Sequence, residues 1–116
     1  MMAERVFQTA RHLQPADGDP IRSVVTESPD AVVVAWFVKP GQTIAPHVHP
    51  HGQDTWTIVA GSGAYQTNAA GDTVAIHAGD IVVAPRMAVH GVHNAGAQPL
   101  IFVSVVCPGA AGYEPL

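Results

Sequence analysis

His47 and His49 stand two residues apart in the stretch Gly41-Gln-Thr-Ile-Ala-Pro-His-Val-His-Pro-His-Gly-Gln-Asp54. In an extended strand such residues share one face with their Cα atoms about 7 Å apart, so both imidazoles reach a single ion. Neutral imidazole is the commonest protein metal ligand, and two of them suit Zn, Fe, Ni or Cu. After the Pro50–Gly52 turn, Asp54 alternates with Trp56 and Ile58, which places a carboxylate on the same face as two large apolar side chains. A carboxylate there needs a cation or hydrogen-bond donors to offset its desolvation, and a shared metal would supply that. A second patch downstream carries His90 in another short strand, able to face the same cavity if the sheet closes on itself. His51 continues the alternation of His47 and His49, although the turn residues on either side carry it toward a rim. Tyr65 offers a phenol as acid, base or substrate anchor. The only glutamates are Glu4, Glu27 and Glu114, so acid–base chemistry in the centre of the chain would rest on a metal, its bound water, Tyr65 or His51.

The elements that must position these groups read as strands. Ten prolines and eleven glycines interrupt the chain at short intervals, and no helical apolar spacing persists over three turns. Between them lie segments rich in Val, Ile, Thr and aromatic residues, near Arg22–Glu27, Ala31–Lys39, Thr43–His49, Asp54–Ala60 and Ala64–Asn68. Others follow near Asp72–His77, Ile81–Ala84, Ala88–Asn94 and Leu100–Cys107. Short strands with turn signals at this spacing predict an antiparallel sandwich or barrel. Residues 1–20 read as an arm and 21–116 as one barrel. The arm either pairs with a neighbouring subunit's edge or lies on its own domain.

Composition narrows the classes of function. Five basic residues against nine acidic ones, a net charge of -4, leave no footprint for nucleic acid. The longest apolar runs are too short to span a bilayer, and the start has no apolar segment of the secretory kind. One cysteine, Cys107, forms no internal disulfide and fits a reducing compartment. It reads as a buried inert thiol. The chain is thus expected to be cytoplasmic. Only 12% of its residues are charged, which points to an exterior partly covered in a homodimer.

The two patches together resemble the cupin superfamily, whose first motif runs G-x5-H-x-H-x3,4-E-x6-G. Gly41, His47, His49, Asp54 and Gly61 fall on it, with Asp54 in place of glutamate. The second motif, G-x5-P-x-G-x2-H-x3-N, is met by Gly79, Pro85, His90 and Asn94, with Met87 in place of the middle glycine. The resemblance spans Ala31 to Val106 and implies an all-β, single antiparallel jelly-roll barrel of the RmlC-like type. It also implies that His47, His49, Asp54 and His90 hold one divalent ion per chain (Fe, Zn, Ni, Mn or Cu). Gln53 is the alternative to Asp54, because the motif also allows the shorter spacing. Cupins of this kind include dioxygenases, sugar isomerases and lyases, all acting on small molecules, so the resemblance leaves the reaction open. Oxygenase chemistry at the metal is favoured, and a non-catalytic module that binds or senses a small ligand is the alternative.

Overall fold

The computed structural model describes residues 4–116. Its strands are β1 (Ser23–Glu27), β2 (Val32–Val38), β3 (Thr43–Val48), β4 (Gln53–Ala60) and β5 (Ser62–Gln66). They are followed by β6 (Thr73–His77), β7 (Ile81–Ala84), β8 (His90–His93), β9 (Leu100–Cys107) and β10 (Glu114–Pro115). Two five-stranded antiparallel sheets result, in the orders β1-β2-β9-β4-β7 and β10-β3-β8-β5-β6. The nine strands expected from composition are all present within a few residues of their expected limits. The short β10, which has no apolar pattern of its own, is the tenth. Among the described residues, no helix is long and apolar enough to cross a membrane.

The sheets close on side chains that alternate inward. Trp56 and Ile58 of β4 meet Leu100 and Phe102 of β9, with Val38, Ile44, Ile76 and Val92 completing the core. Aromatic rings stack through its centre: Phe102 lies 4.2 Å from Trp56 and 6.1 Å from Trp36, nearly parallel to both. On β9 the parity that turns Leu100, Phe102 and Ser104 inward sends position 107 outward. Cys107 is therefore exposed, contrary to the buried thiol expected from its apolar strand.

Two motif positions act as fasteners rather than as chemistry. Asn94 is fully buried and donates from Nδ2 to the carbonyls of Val38 and Gln98, at 2.9 and 2.8 Å, while its Oδ1 accepts from Gly96. Met87 adopts φ 68° where the motif has glycine, and its N–H donates to the His49 carbonyl at 3.0 Å. That bond ties the loop before β8 to the end of β3, so the left-handed backbone is kept although the residue has a Cβ.

The arm lies on its own barrel. A single 3-10 turn, Thr9–His12, leads to a set of side-chain ties. Gln14 donates to Ser23 Oγ at 2.8 Å, and Ser23 donates to the His12 carbonyl. Gln42 Nε2 donates to the carbonyls of Ala16 and Gly18 at 2.6 and 2.8 Å. Lys39 and Asp17 add an exposed ion pair, which contributes little to stability.

Two glycines separate the cost of backbone conformation from the cost of crowding. Gly61 (φ 79°) and Gly71 (φ 92°) both occupy left-handed backbone. A Cβ at Gly61 would collide with the Pro99 carbonyl, whereas Gly71 faces open space. Gly71→Ala should cost about 1–2 kcal/mol, the left-handed penalty alone. Gly61→Ala should cost at least about 2 kcal/mol more, since backbone must move. Urea unfolding of both variants measures the difference, and equal losses would contradict it.

Candidate metal centre

Strand β3 brings His47 inward through an irregularity. Ile44 already faces the core, and three residues later strict alternation would turn His47 outward. The β3–β8 ladder slips between Ile44 and His47, across Pro46, which has no N–H to donate. The slip restores His47 to the inner face, where it pairs directly with His90 of β8, ring centroids 4.2 Å apart. His49 lies just past the strand end and also turns inward, 5.1 Å from both other rings. Asp54 enters from β4 in the other sheet, in regular alternation with Trp56 and Ile58.

The four side chains converge. One ligand atom from each of His47, His49, Asp54 and His90 lies within 4.8 Å of the others. Asp54 Oδ2 is 3.0 Å from His90 Nε2 and 3.4 Å from His49 Nε2. Gln53, one position earlier, points the other way, exposed, with its amide donating to Thr55 Oγ1.

Each imidazole is oriented from behind by the backbone. His47 Nδ1 contacts the Ala45 carbonyl at 2.8 Å, His49 Nδ1 that of Gly112 at 2.6 Å, and His90 Nδ1 that of Ala88 at 3.0 Å. A carbonyl oxygen only accepts, so each Nδ1 is the protonated nitrogen and each neutral ring presents a bare Nε2 lone pair inward. The centre is thus lined by acceptors. His49 Nε2 and Asp54 Oδ1 are buried without a hydrogen-bond partner, a cost that proteins rarely leave unmet. A positive charge at the centre removes it. Two imidazoles on one strand, a third opposite and a carboxylate fit a divalent transition ion, with Nδ1 bonds of the kind that orient metal-bound histidines.

The electrostatics follow the same geometry. Burial holds His47 down to about 4, against the support of its bond to Ala45. Burial also works to lower His49, but its protonated form would donate from Nε2 to Asp54, 3.4 Å away, and from Nδ1 to the Gly112 carbonyl beside the Asp54 charge, so its pKa is raised. Burial works to raise Asp54, yet its ionised form would be favoured by His49 and His90 once either carries a second proton on Nε2, and by the Trp56 side chain, and these bring it to about 2. Asp54 is therefore a carboxylate and His47 a neutral imidazole at any physiological pH.

A cavity of about 560 Å³ opens beside the quartet, within the usual range for small-molecule sites. Val32, Val34, Trp36, Val106 and Ile44 form its apolar wall, and Arg22, Ser104 and Tyr113 its polar border, with His47, His49 and Asp54 of the quartet lining the rest. His90 lies deeper, 1% exposed. Tyr113 precedes β10, and its ring is 5.0 Å from that of His47.

The two acid–base candidates from the sequence are not part of this wall. His51 sits exposed in the turn that follows Pro50, its N–H bonded to the Ala111 carbonyl; the turn ends the alternation that His51 would otherwise continue. Tyr65 packs edge-on against Trp56, which itself abuts His90, so it lies in the core behind the quartet. Burial, with the Asp54 charge, pushes its phenol up to about 12. Among the large apolar side chains, Trp36 borders the cavity, Trp56, Ile58 and Phe102 fill the core, and Met87 is exposed. Arg22, Tyr113 and the Gly112 carbonyl escape a motif reading, because they reach the site through the closing of the chain ends rather than through any spacing near the histidines.

Comparison with known proteins agrees with this architecture. The family model of the cupin domain matches residues 34–106. A conserved protein with a double-stranded β-helix domain from Klebsiella pneumoniae subsp. pneumoniae MGH 78578 superposes with a TM-score of 0.94 at 50% identity, over 97% of each chain. An RmlC-like cupin protein from Desulfovibrio desulfuricans shares the fold at TM-score 0.75 and 20% identity, over 93% of this chain and 97% of that one. KdgF from Halomonas sp. does so at TM-score 0.76 and 21% identity, over 91% and 94%. A comparison with curated proteins finds no match. A match over more than half of the residues, on a fold shared from end to end with a half-identical relative, makes this protein a member of the cupin family.

Proposed function

We propose that this cupin binds one divalent transition-metal ion through His47, His49, His90 and Asp54 and acts on a small organic molecule held in the adjoining cavity. The observation that carries the proposal is the acceptor-lined centre, in which the lone pairs of His49 Nε2 and Asp54 Oδ1 are buried without a partner. When bound, such an ion supplies an electrophile that polarises a substrate oxygen and, if redox-active, a route for dioxygen chemistry. The chain's own residues do the rest. Asp54 keeps its negative charge, the Ala45, Gly112 and Ala88 carbonyls hold the imidazoles in register, and the aliphatic wall excludes water from the apolar part of the substrate. Apart from the quartet, the titratable groups bordering the cavity are Arg22 and Tyr113. That scarcity of proton carriers favours dioxygenase-type chemistry over isomerase or lyase chemistry, which moves protons between carbons or to a leaving group. It equally supports a module that binds a ligand without turnover. Oxygen consumption by the metal-loaded protein with candidate substrates separates the two readings.

Elemental analysis of the purified and the reconstituted protein tests the quartet. One equivalent of metal is expected per chain. His49→Ala should weaken metal binding by more than the ~10–100-fold typical of losing a supporting hydrogen bond, while its circular dichroism stays that of a β-barrel. Full occupancy in that variant would refute the assignment.

Acidity provides an independent check. His49 is raised above the ordinary imidazole range, so it carries a proton more often at neutral pH and must release it to coordinate. His47, lowered to about 4, is already neutral and releases none. Metal uptake near pH 7 should therefore release a proton from His49, and affinity should begin to fall with pH already above 6.5, the ordinary imidazole value. Calorimetry in buffers of different ionisation enthalpy measures the proton. Occupancy that stays flat down to pH 4 would exclude imidazole ligation.

A further inference from the structure

Arg22 borders the same cavity as Asp54 but forms no ion pair with it or with any other carboxylate among the described residues. Among the described residues the ion pair formed by a lysine or arginine is Lys39–Asp17, on the surface. The position of Arg22 is fixed by its neighbour: Ser23 is buried and held by Gln14 and the His12 carbonyl of the arm. Ser23 pairs with Ala35 in the β1–β2 ladder. One residue further along that register, Arg22 comes opposite Trp36, and both side chains border the cavity. The wall next to them is Val32, Val34 and Val106. Deeper in, Ser104 is 2% exposed and accepts the Trp36 indole N–H at 3.4 Å. That contact uses an acceptor site and leaves the Ser104 O–H to donate to a bound molecule.

We propose that the cavity takes a small organic carboxylate, its anionic end held by Arg22 at the mouth and its apolar body lying against the valines and Trp36 toward the metal quartet. This rests on the reading of the cavity as the substrate site and adds the substrate's charge and polarity to it. The chemistry of the walls sets both features. A guanidinium presents parallel N–H donors that match a carboxylate. An aliphatic wall gains nothing from a second charged group, which would lie desolvated against it. Orientation follows, because a molecule anchored at Arg22 points its uncharged end at His47, His49 and Asp54. The atom presented for reaction is then remote from the carboxylate. In a chain of net charge -4, an isolated cation at this mouth also favours the approach of anions over the rest of the surface.

Trp36 borders the cavity and is one of only two tryptophans in the chain, so its fluorescence serves as the reporter. Straight-chain and aryl carboxylates, each paired with the corresponding primary alcohol, are titrated into wild type, Arg22→Gln and Arg22→Lys, each in metal-free and Zn-loaded form. Carboxylates should bind wild type about tenfold or more tighter than their alcohols, the margin of a charge-assisted hydrogen bond. Added salt should reduce that margin. Arg22→Gln should abolish the preference, Arg22→Lys should restore part of it, and metal stoichiometry should be the same in all three proteins. Equal binding of acids and alcohols by wild type, no binding by any carboxylate, or a preference untouched by Arg22→Gln would each overturn the proposal. A preference that disappears with the metal but not with Arg22 would assign the anion to the ion instead, leaving the metal reading intact and this one refuted. An Arg22-dependent preference in a protein that binds no metal would uphold the anion site and refute the metal quartet.

Discussion

Three backbone carbonyls decide the character of this protein's interior. By accepting the Nδ1–H of His47, His49 and His90, the carbonyls of Ala45, Gly112 and Ala88 oblige each ring to present a lone pair to the same small volume, which also holds the Asp54 carboxylate. Lone pairs facing a negative charge repel, and burial denies them water. In the absence of an ion, a proton shared between a histidine and Asp54 relieves part of that conflict, which is why His49 is raised and Asp54 lowered together. The barrel therefore stores a demand for positive charge, and the surrounding structure is arranged so that the demand persists.

The arrangement depends on both sheets. His47 and His90 belong to one sheet and Asp54 to the other, so the quartet exists only when the sheets close. The core beneath it is a stack of large rings, Trp36, Phe102 and Trp56, with Tyr65 edge-on. Such a floor is dense and does not yield to small displacements. His90 rests on it through Trp56. The opposite side of the quartet is left open to the cavity, and chemistry faces the direction in which packing stops.

Much of this was legible beforehand, and the reasons are physical. The motif's spacing left both Gln53 and Asp54 open; strand alternation gives only Asp54 the parity of Trp56 and Ile58, and the structure has Asp54 buried and Gln53 exposed. Counted from Leu100, the same rule sends Cys107 outward, and the buried thiol expected from its apolar strand went against it; at His51 the rule failed, because a turn intervenes. At His47 alternation alone would have given the wrong face. The spacing of the motif already contains the slip at Pro46, and it succeeded where periodicity could not. Tyr65 has the chemistry of a catalytic phenol but an address in the core, and a strand pattern does not distinguish an inward residue of the core from one of the cavity. Tyr113 and Arg22 lie outside both motif blocks and reach the site only in three dimensions. Pairing of β10 with β3 and the ties of Ser23 to the arm carry them there, and neither contact leaves a periodic trace.

The depth of His90 has a consequence for traffic. Its ring is sealed from solvent on the core side, while His47, His49 and Asp54 face the cavity. An ion and an organic molecule would thus share a single doorway, with the ion's berth at the far end. Loading must then follow an order, ion first and guest second, and departure the reverse. A resident guest would act as a cork that slows escape of the ion, so the protein would hold its metal most firmly while it is at work.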